Sequence, residues 1–168
     1  MGYSVSEIVL PEGYALPNKI YLSGARAARS LNTLRQYKIH SILTMGSENS
    51  VNTIPWYKDK ARYKLVGISD LNSSNMIQHL EGIFNFLDAA IPRGNLLVHC
   101  TLGKSRSPTA VISYLIKKFH LSSEAAFQIV STSRDFIEPN PGFLKQLKDW
   151  EIHCKTDKNG LARISVLR

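Results

Sequence analysis

The segment Asn95 to Ser107, NLLVHCTLGKSRS, constrains the chain most. Asn95 to His99 is a short apolar run of strand length that stops abruptly at a polar, glycine-containing loop, CTLGKSR, and Ala110 to Phe119 then resume a helical pattern. Strand, loop and helix in that order belong in a parallel sheet backed by helices. The remainder of the chain repeats the alternation. Ile20 to Leu22 form a β-type run ending at Ser23-Gly24, and Ala27, Leu31, Leu34 and Tyr37 follow at helical steps. His40 to Met45 read as a buried strand closed by Gly46, residues 47–60 (with Asn49, Asn52, Pro55 and Asp59) as a loop, and Tyr63 to Ile68 as the next strand. The string DLNSSN, Asp70 to Asn75, is turn chemistry before a helix whose apolar face is Ile77, Leu80, Ile83, Phe84 and Leu87, stopped by Pro92 and Gly94. Ser122 and Ser123 start a further helix with Ala126, Phe127 and Val130 inward. After Pro139 and Pro141, the residues Phe143, Leu144, Leu147 and Trp150 make a last helix of about three turns, beyond which KTDKNG loses periodicity and ISVLR reads as a loose strand or tail. The expected architecture is α/β, a central, mostly parallel sheet flanked by helices. Sheets of this kind bind ligands at the carboxyl ends of their strands, where Cys100 falls.

At 168 residues the chain has the length of one domain, and 43% hydrophobic with 20% charged residues excludes a disordered or low-complexity polymer. No apolar stretch approaches the roughly 20 residues of a membrane helix. The start MGYSVSEIVLPEG has neither a basic opening nor a continuous apolar run, so a cytoplasmic or nuclear setting is expected. Gly2 satisfies the bare myristoylation pattern, but the bulky Tyr3 directly after it makes an unmodified terminus the expectation. Cys100 and Cys154 cannot build a disulfide framework and lack the clustered partners of a zinc site, so neither a metal nor another cofactor is implied. The formal charge of +8 points to anionic partners, namely nucleic acid, an anionic membrane surface or phosphorylated substrates, and cannot choose among them.

The loop itself chooses an anion. A loop feeding a helix aims several backbone N–H groups at one spot, where the helix dipole adds positive potential, and phosphate fits such a nest. Gly103 permits a sharp turn and close approach of the anion, and Arg106 offers a planar fork for two phosphate oxygens. Cys100 sits at the bottom of this positive cup, which favours the nucleophilic thiolate. A free cysteine is most often a small buried hydrophobe. His, Cys, Gly, Arg and Ser at these offsets co-occur by chance with a probability on the order of 10⁻⁴, which outweighs that reading here.

The signature HCTLGKSRSPT resembles that of the cysteine-dependent protein tyrosine phosphatases, and most of all their small dual-specificity branch. The resemblance runs over residues 18–154, through IYLSG, HSILTM, the acidic loop at Asp70, ISYLIKKF, SSEAAFQIV and PNPGFLKQL. It implies a catalytic domain over 18–154, with residues 1–17 an N-terminal extension and 155–168 a C-terminal tail. It also implies that Cys100 attacks phosphorus to form a cysteinyl phosphate, while Arg106 and the N–H groups of Thr101, Leu102, Gly103, Lys104, Ser105 and Arg106 hold the phosphoryl oxygens. Ser107 would assist release of the cysteine sulfur, and His99 would remain in the core beneath the loop. Asp70, thirty residues before Cys100 at the mouth of a loop, would be the general acid, whereas Asp59, Asp88 and Asp135 read as surface charges. Asn140 would brace the phosphate-binding loop, or simply cap a helix. Arg134 reads either as a contact for a second anion or as a surface charge, and Cys154 as structural or incidental.

Two residues depart from the commonest dual-specificity pattern. Lys104 stands where a small or apolar residue is usual and is similar to what tensin-type lipid phosphatases carry, and Leu102 replaces a frequent alanine. The implied activity is hydrolysis of phosphotyrosine and phosphoserine or phosphothreonine on phosphorylated protein substrates, with no second domain to select them. A phosphoinositide or RNA 5′-triphosphate phosphatase, or a non-catalytic phosphoprotein-binding module, are the alternatives that remain open at this point.

Overall fold

A computed structural model describes residues 4–47, 54–55, 59 and 62–166, with side chains described as far as residue 157. Gly2, Tyr3, Asn49 and Asn52 lie outside the described residues. Five strands form one sheet: β1 (Val5–Glu7), β2 (Ile20–Ser23), β3 (Ile39–Gly46), β4 (Tyr63–Gly67) and β5 (Asn95–His99), in the spatial order β1-β2-β5-β3-β4. All neighbours are parallel except β1, which runs antiparallel to β2. The expected mostly parallel sheet is present. Residues 5–7, inside the segment read as an N-terminal extension, add a strand to its edge.

Side chains alternate across the sheet, as the two-residue strand period requires. Leu96 and Val98 of β5, with Leu22 and Leu43, pack into the larger core against the helices α3 (Ile77–Ala90), α4 (Arg106–Phe119), α5 (Ser123–Ser133) and α6 (Pro141–Val166). Leu97, with Tyr21, Ile42 and Tyr63, packs into a smaller core on the opposite face. Burial on both faces explains why β5 reads as a continuous apolar run rather than as an alternating one.

The short helices α1 (Ala25–Ala28) and α2 (Leu31–Gln36) correct the single helix expected over 25–37. Ser30 breaks it: its backbone is extended and its side chain accepts from the Thr33 N–H at 3.2 Å, so it caps a new helix instead of continuing the old one. Leu31 therefore falls on an exposed face rather than in the apolar stripe. The helix after the phosphate-type loop starts at Arg106, four residues earlier than its apolar pattern suggests. Residues 107 to 116 of α4 are buried throughout, because α3, α5, α6 and the sheet surround it. α6 is the other correction, for it continues to Val166 instead of ending near Trp150. No apolar stripe announces this extension, and residues 151–166 mix strong helix formers such as Glu151, Lys155, Leu161 and Ala162 with weak ones such as Thr156, Asn159 and Gly160.

Candidate active site

β5 is the middle strand, and the loop 100–105 leaves its carboxyl end directly into α4. Register across the sheet sets Ser23 of β2 and Thr44 of β3 level with His99 of β5. Cys100 is almost wholly buried, and its sulfur accepts from the Gly103 N–H and the Ser107 hydroxyl, each at 3.2 Å. Gly103 has φ +70°, and a Cβ there would lie 2.6 Å from Arg134 Nη2 and 2.7 Å from the Ser23 carbonyl, so glycine is required on both counts. Gly24 meets a similar limit: a Cβ would come within 2.9 Å of the Thr101 carbonyl oxygen, which accepts from the Ala25 N–H at 3.0 Å. The loop is thus held against the β2–α1 turn.

Arg106 is oriented by its neighbours. Nη1 donates to the Ile68 carbonyl at 3.2 Å and Nη2 to the Thr101 hydroxyl at 2.9 Å, while the buried Nε has no hydrogen-bond partner among the described residues. Thr101, Leu102, Lys104 and Arg106 line a cavity of about 730 Å³ together with His99 and Cys100, and its further walls include Arg26, Arg29, Met45 and Phe136. Among the described residues, no acidic side chain lines it. Lys104 is half-exposed and pairs with Glu138 at 3.6 Å.

Asp70 is not part of that lining. It borders the loop from outside, its Oδ1 accepting from the Ser105 hydroxyl at 2.7 Å and from the Asn140 side-chain amide at 2.8 Å. Asn140 satisfies both readings of it. Its Oδ1 caps α6 by accepting from the Phe143 N–H at 2.9 Å, and its own N–H donates to Ser105 Oγ at 3.1 Å, which ties the loop to the helix start. The Gly142 N–H donates to Asn72 Oδ1 at 3.3 Å, a second tie between the acidic loop and α6. Asp88, by contrast, sits far along α3, where the Tyr114 hydroxyl and Lys118 engage it.

His99 lies in the core, where burial pushes its pKa down to about 4. It is neutral at physiological pH, and its hydrogen bonds fix the tautomer. The Cys100 carbonyl can only accept, so Nδ1, 3.2 Å away, carries the proton. Nε2 then accepts from the Thr44 hydroxyl at 2.7 Å, and Thr44 in turn accepts from the Tyr63 hydroxyl at 2.7 Å. A chain of three hydrogen bonds therefore runs from β4 through β3 to the backbone of Cys100.

Arg134 does not lie on the surface. It is buried at 2% exposure, and its Nε donates to the Gly103 carbonyl at 2.9 Å. Thr44, Tyr63, Arg134 and the cavity residues Arg26, Arg29 and Phe136 carry no local motif. Their sequence neighbourhoods are ordinary, and only the sheet register brings them to the loop. Cys154 is buried in the core beside Trp150, and burial pushes its pKa up to about 11. Both cysteines are free.

The catalytic-domain model of the dual specificity phosphatases matches residues 20–153. Dual specificity protein phosphatase MPK-4 of Drosophila melanogaster is 37% identical over 145 residues, covering 83% of this chain and 36% of its own length. Dual specificity protein phosphatase 1 of Arabidopsis thaliana is 37% identical over 133 residues, covering 79% of this chain and 65% of its own. The chain thus spans about a third of the first relative and 65% of the second. Among solved structures, a human tyrosine phosphatase-like serine/threonine/tyrosine-interacting protein superposes with TM-score 0.71 at 30% identity, over 79% of this chain and 91% of that one. A mouse putative dual specificity phosphatase complexed with zinc tungstate gives 0.71 at 26% identity, over 90% and 96%. The family match over residues 20–153 takes in the phosphate-binding loop, Asp70 and Asn140, and on it the chain belongs to the dual specificity phosphatase family, the small branch of the cysteine-dependent protein tyrosine phosphatases.

Proposed function

We propose that the protein is a cysteine-dependent phosphatase that hydrolyses phosphomonoesters on proteins. The observation that carries this is the buried Nε of Arg106, a donor with no partner among the described residues, beside a sulfur that already receives two donors. A buried unpaired guanidinium N–H is costly unless an anion accepts from it, and a phosphoryl group does so bidentately. The Cys100 thiolate attacks phosphorus and the P–O bond to the leaving oxygen breaks. Asp70 gives that oxygen its proton, and a cysteinyl phosphate forms. Asp70, now a carboxylate, takes a proton from water as the water attacks phosphorus, and the S–P bond breaks. Ser107 steadies the departing thiolate through the hydrogen bond it already makes. No metal enters these steps.

Protein substrates are favoured over lipid or RNA because Lys104 is half-exposed and paired with Glu138, which leaves it a poor anchor for additional phosphates. Met45, Leu102 and Phe136 in the cavity wall suit the ring of phosphotyrosine. Two free thiols fit a reducing cytoplasmic or nuclear setting. The test is initial hydrolysis rates, with a chelator present, on phosphotyrosine, phosphothreonine and phosphoserine peptides, soluble phosphoinositides and a 5′-triphosphorylated RNA, with Cys100→Ser as the blank. Fastest turnover of phosphopeptides, lost in Cys100→Ser, is expected. A faster lipid or RNA reaction overturns the substrate class, comparable turnover in Cys100→Ser overturns the mechanism, and no turnover by the unaltered protein leaves a phosphoprotein-binding module.

A further inference from the structure

Arg134 follows the last residue of α5 and is among the most deeply buried large side chains of the protein. Its guanidinium reaches in two directions. Toward the phosphate-type loop, Nε donates to the Gly103 carbonyl at 2.9 Å and Nη2 to the Leu102 carbonyl at 3.5 Å. Toward the amino terminus, Nη1 donates to the Ser6 hydroxyl at 3.0 Å and to the hydroxyl and carbonyl of Ser4 at 3.3 and 3.4 Å. The Phe136 ring lies 4.2 Å from the guanidinium carbon, so the planar group is held on its face as well as at its edges. Ser4 and Ser6 are two residues apart at the edge strand, hence on the same side of the sheet, the side that meets Arg134. The segment after β1 is fastened to the same place by the Val9 N–H, which donates to the Ser133 hydroxyl at 3.0 Å.

Gly103 links these contacts to the reactive atom. Its carbonyl receives Arg134, and its N–H donates to the Cys100 sulfur at 3.2 Å. Arg134 Nη2 and the Ser23 backbone occupy the space a side chain at this position would need. We infer that Arg134 is a positioning residue through which the amino-terminal strand sets the conformation of the phosphate-binding loop: Ser4 and Ser6 fix the guanidinium, the guanidinium fixes the Leu102 and Gly103 carbonyls, and these aim the Gly103 N–H at the cysteine sulfur. This rests on the phosphatase reading for its effect on turnover but not for its effect on the loop. A planar fork is needed because carbonyls and hydroxyls must be met on opposite sides at once, which an ammonium on a flexible stem cannot do.

The double variant Ser4→Ala/Ser6→Ala tests it, since both side chains shrink by one oxygen near the surface and the core is untouched. Amide hydrogen exchange at Leu102 and Gly103 is expected to speed up by about tenfold or more, while amides in β3 and β5 keep their rates. With para-nitrophenyl phosphate, kcat/KM is expected to fall about tenfold, and thermal unfolding to shift only slightly. Arg134→Lys is expected to reproduce the loop effect with the charge retained. Unchanged exchange at 102 and 103 in both variants overturns the proposal, whatever happens to turnover. Exchange that rises equally throughout the sheet also overturns it, because Arg134 is then an ordinary stabilising contact. If the unaltered protein fails to hydrolyse the aryl phosphate, the phosphatase reading fails and the exchange measurement still decides this one.

Discussion

Replacing Thr44 by Val probes the hydrogen-bond chain beneath Cys100 with almost no change in side-chain shape. The Thr44 hydroxyl is acceptor for Tyr63 and donor to His99, both at 2.7 Å, and all three residues are buried. Burial also pushes the Tyr63 phenol upward, so it remains a donor across the neutral range. Thr44→Val orphans the Tyr63 O–H and the His99 Nε2 together. Each unsatisfied buried group costs about 1–3 kcal/mol, so the expected loss of stability is about 3 kcal/mol. Tyr63→Phe alone removes a donor but leaves Thr44 with His99, and its expected cost is about 1 kcal/mol. In the double variant no hydroxyl is stranded opposite the valine. Its cost is therefore expected to fall short of the sum of the two single costs by about 1–2 kcal/mol, as interacting groups in one network do. Urea unfolding at constant pH, with the slope unchanged among the variants, supplies the four free energies. A cost below about 1 kcal/mol for Thr44→Val, or single costs that add to within about 0.5 kcal/mol, refutes the chain as drawn.

Two further outcomes follow from the site. His99 titrates at about 4 in the fold against an ordinary 6.5, so below pH 6.5 the unfolded chain binds a proton that the folded one refuses. Stability is expected to fall by roughly 3 kcal/mol between pH 6.5 and 4 and to be indifferent to this group above pH 7; urea midpoints for the protein and His99→Gln check it, and equal slopes in both remove His99 from the effect. Asp70→Asn is expected to lower kcat about 10²- to 10⁴-fold with an alkyl phosphate and much less with para-nitrophenyl phosphate, whose leaving group needs no proton. Equal losses on both take the general-acid role from Asp70.

The strands and the loop were legible because their signal is local. Leu96, Leu97 and Val98 are buried on both faces and so read as an unbroken apolar run, and the residues that must bind an anion at its end are contiguous. Asp70 and Asn140 were legible through the family resemblance, and their convergence on Ser105 depends on a distance in sequence of 70 residues that no local pattern encodes. Arg134 is not legible locally, because a lone arginine after a helix is ordinarily a surface charge and its partners come from 31 and about 130 residues away. β1 left no trace because three half-buried residues cannot display a periodicity. Leu31 keeps the spacing of a continuous helix that Ser30 interrupts, so its exposed position is not legible in the sequence.

The place of β5 in the sheet bears on how the chain is made. Synthesis proceeds from the amino terminus, so β1 with β2, and β3 with β4, emerge before residues 95–99 exist. Until then β2 and β3 each lack the neighbour that covers one hydrogen-bonding edge in the finished sheet, and such edges recruit other chains. The middle strand arrives last, seals both edges in one step, and only then carries the phosphate-binding loop into being. The thiol is organised later still, once Arg134 and Asn140, which hold the loop at Gly103 and Ser105, have followed it out, and nascent chains stalled before β5 are the ones with both edges open.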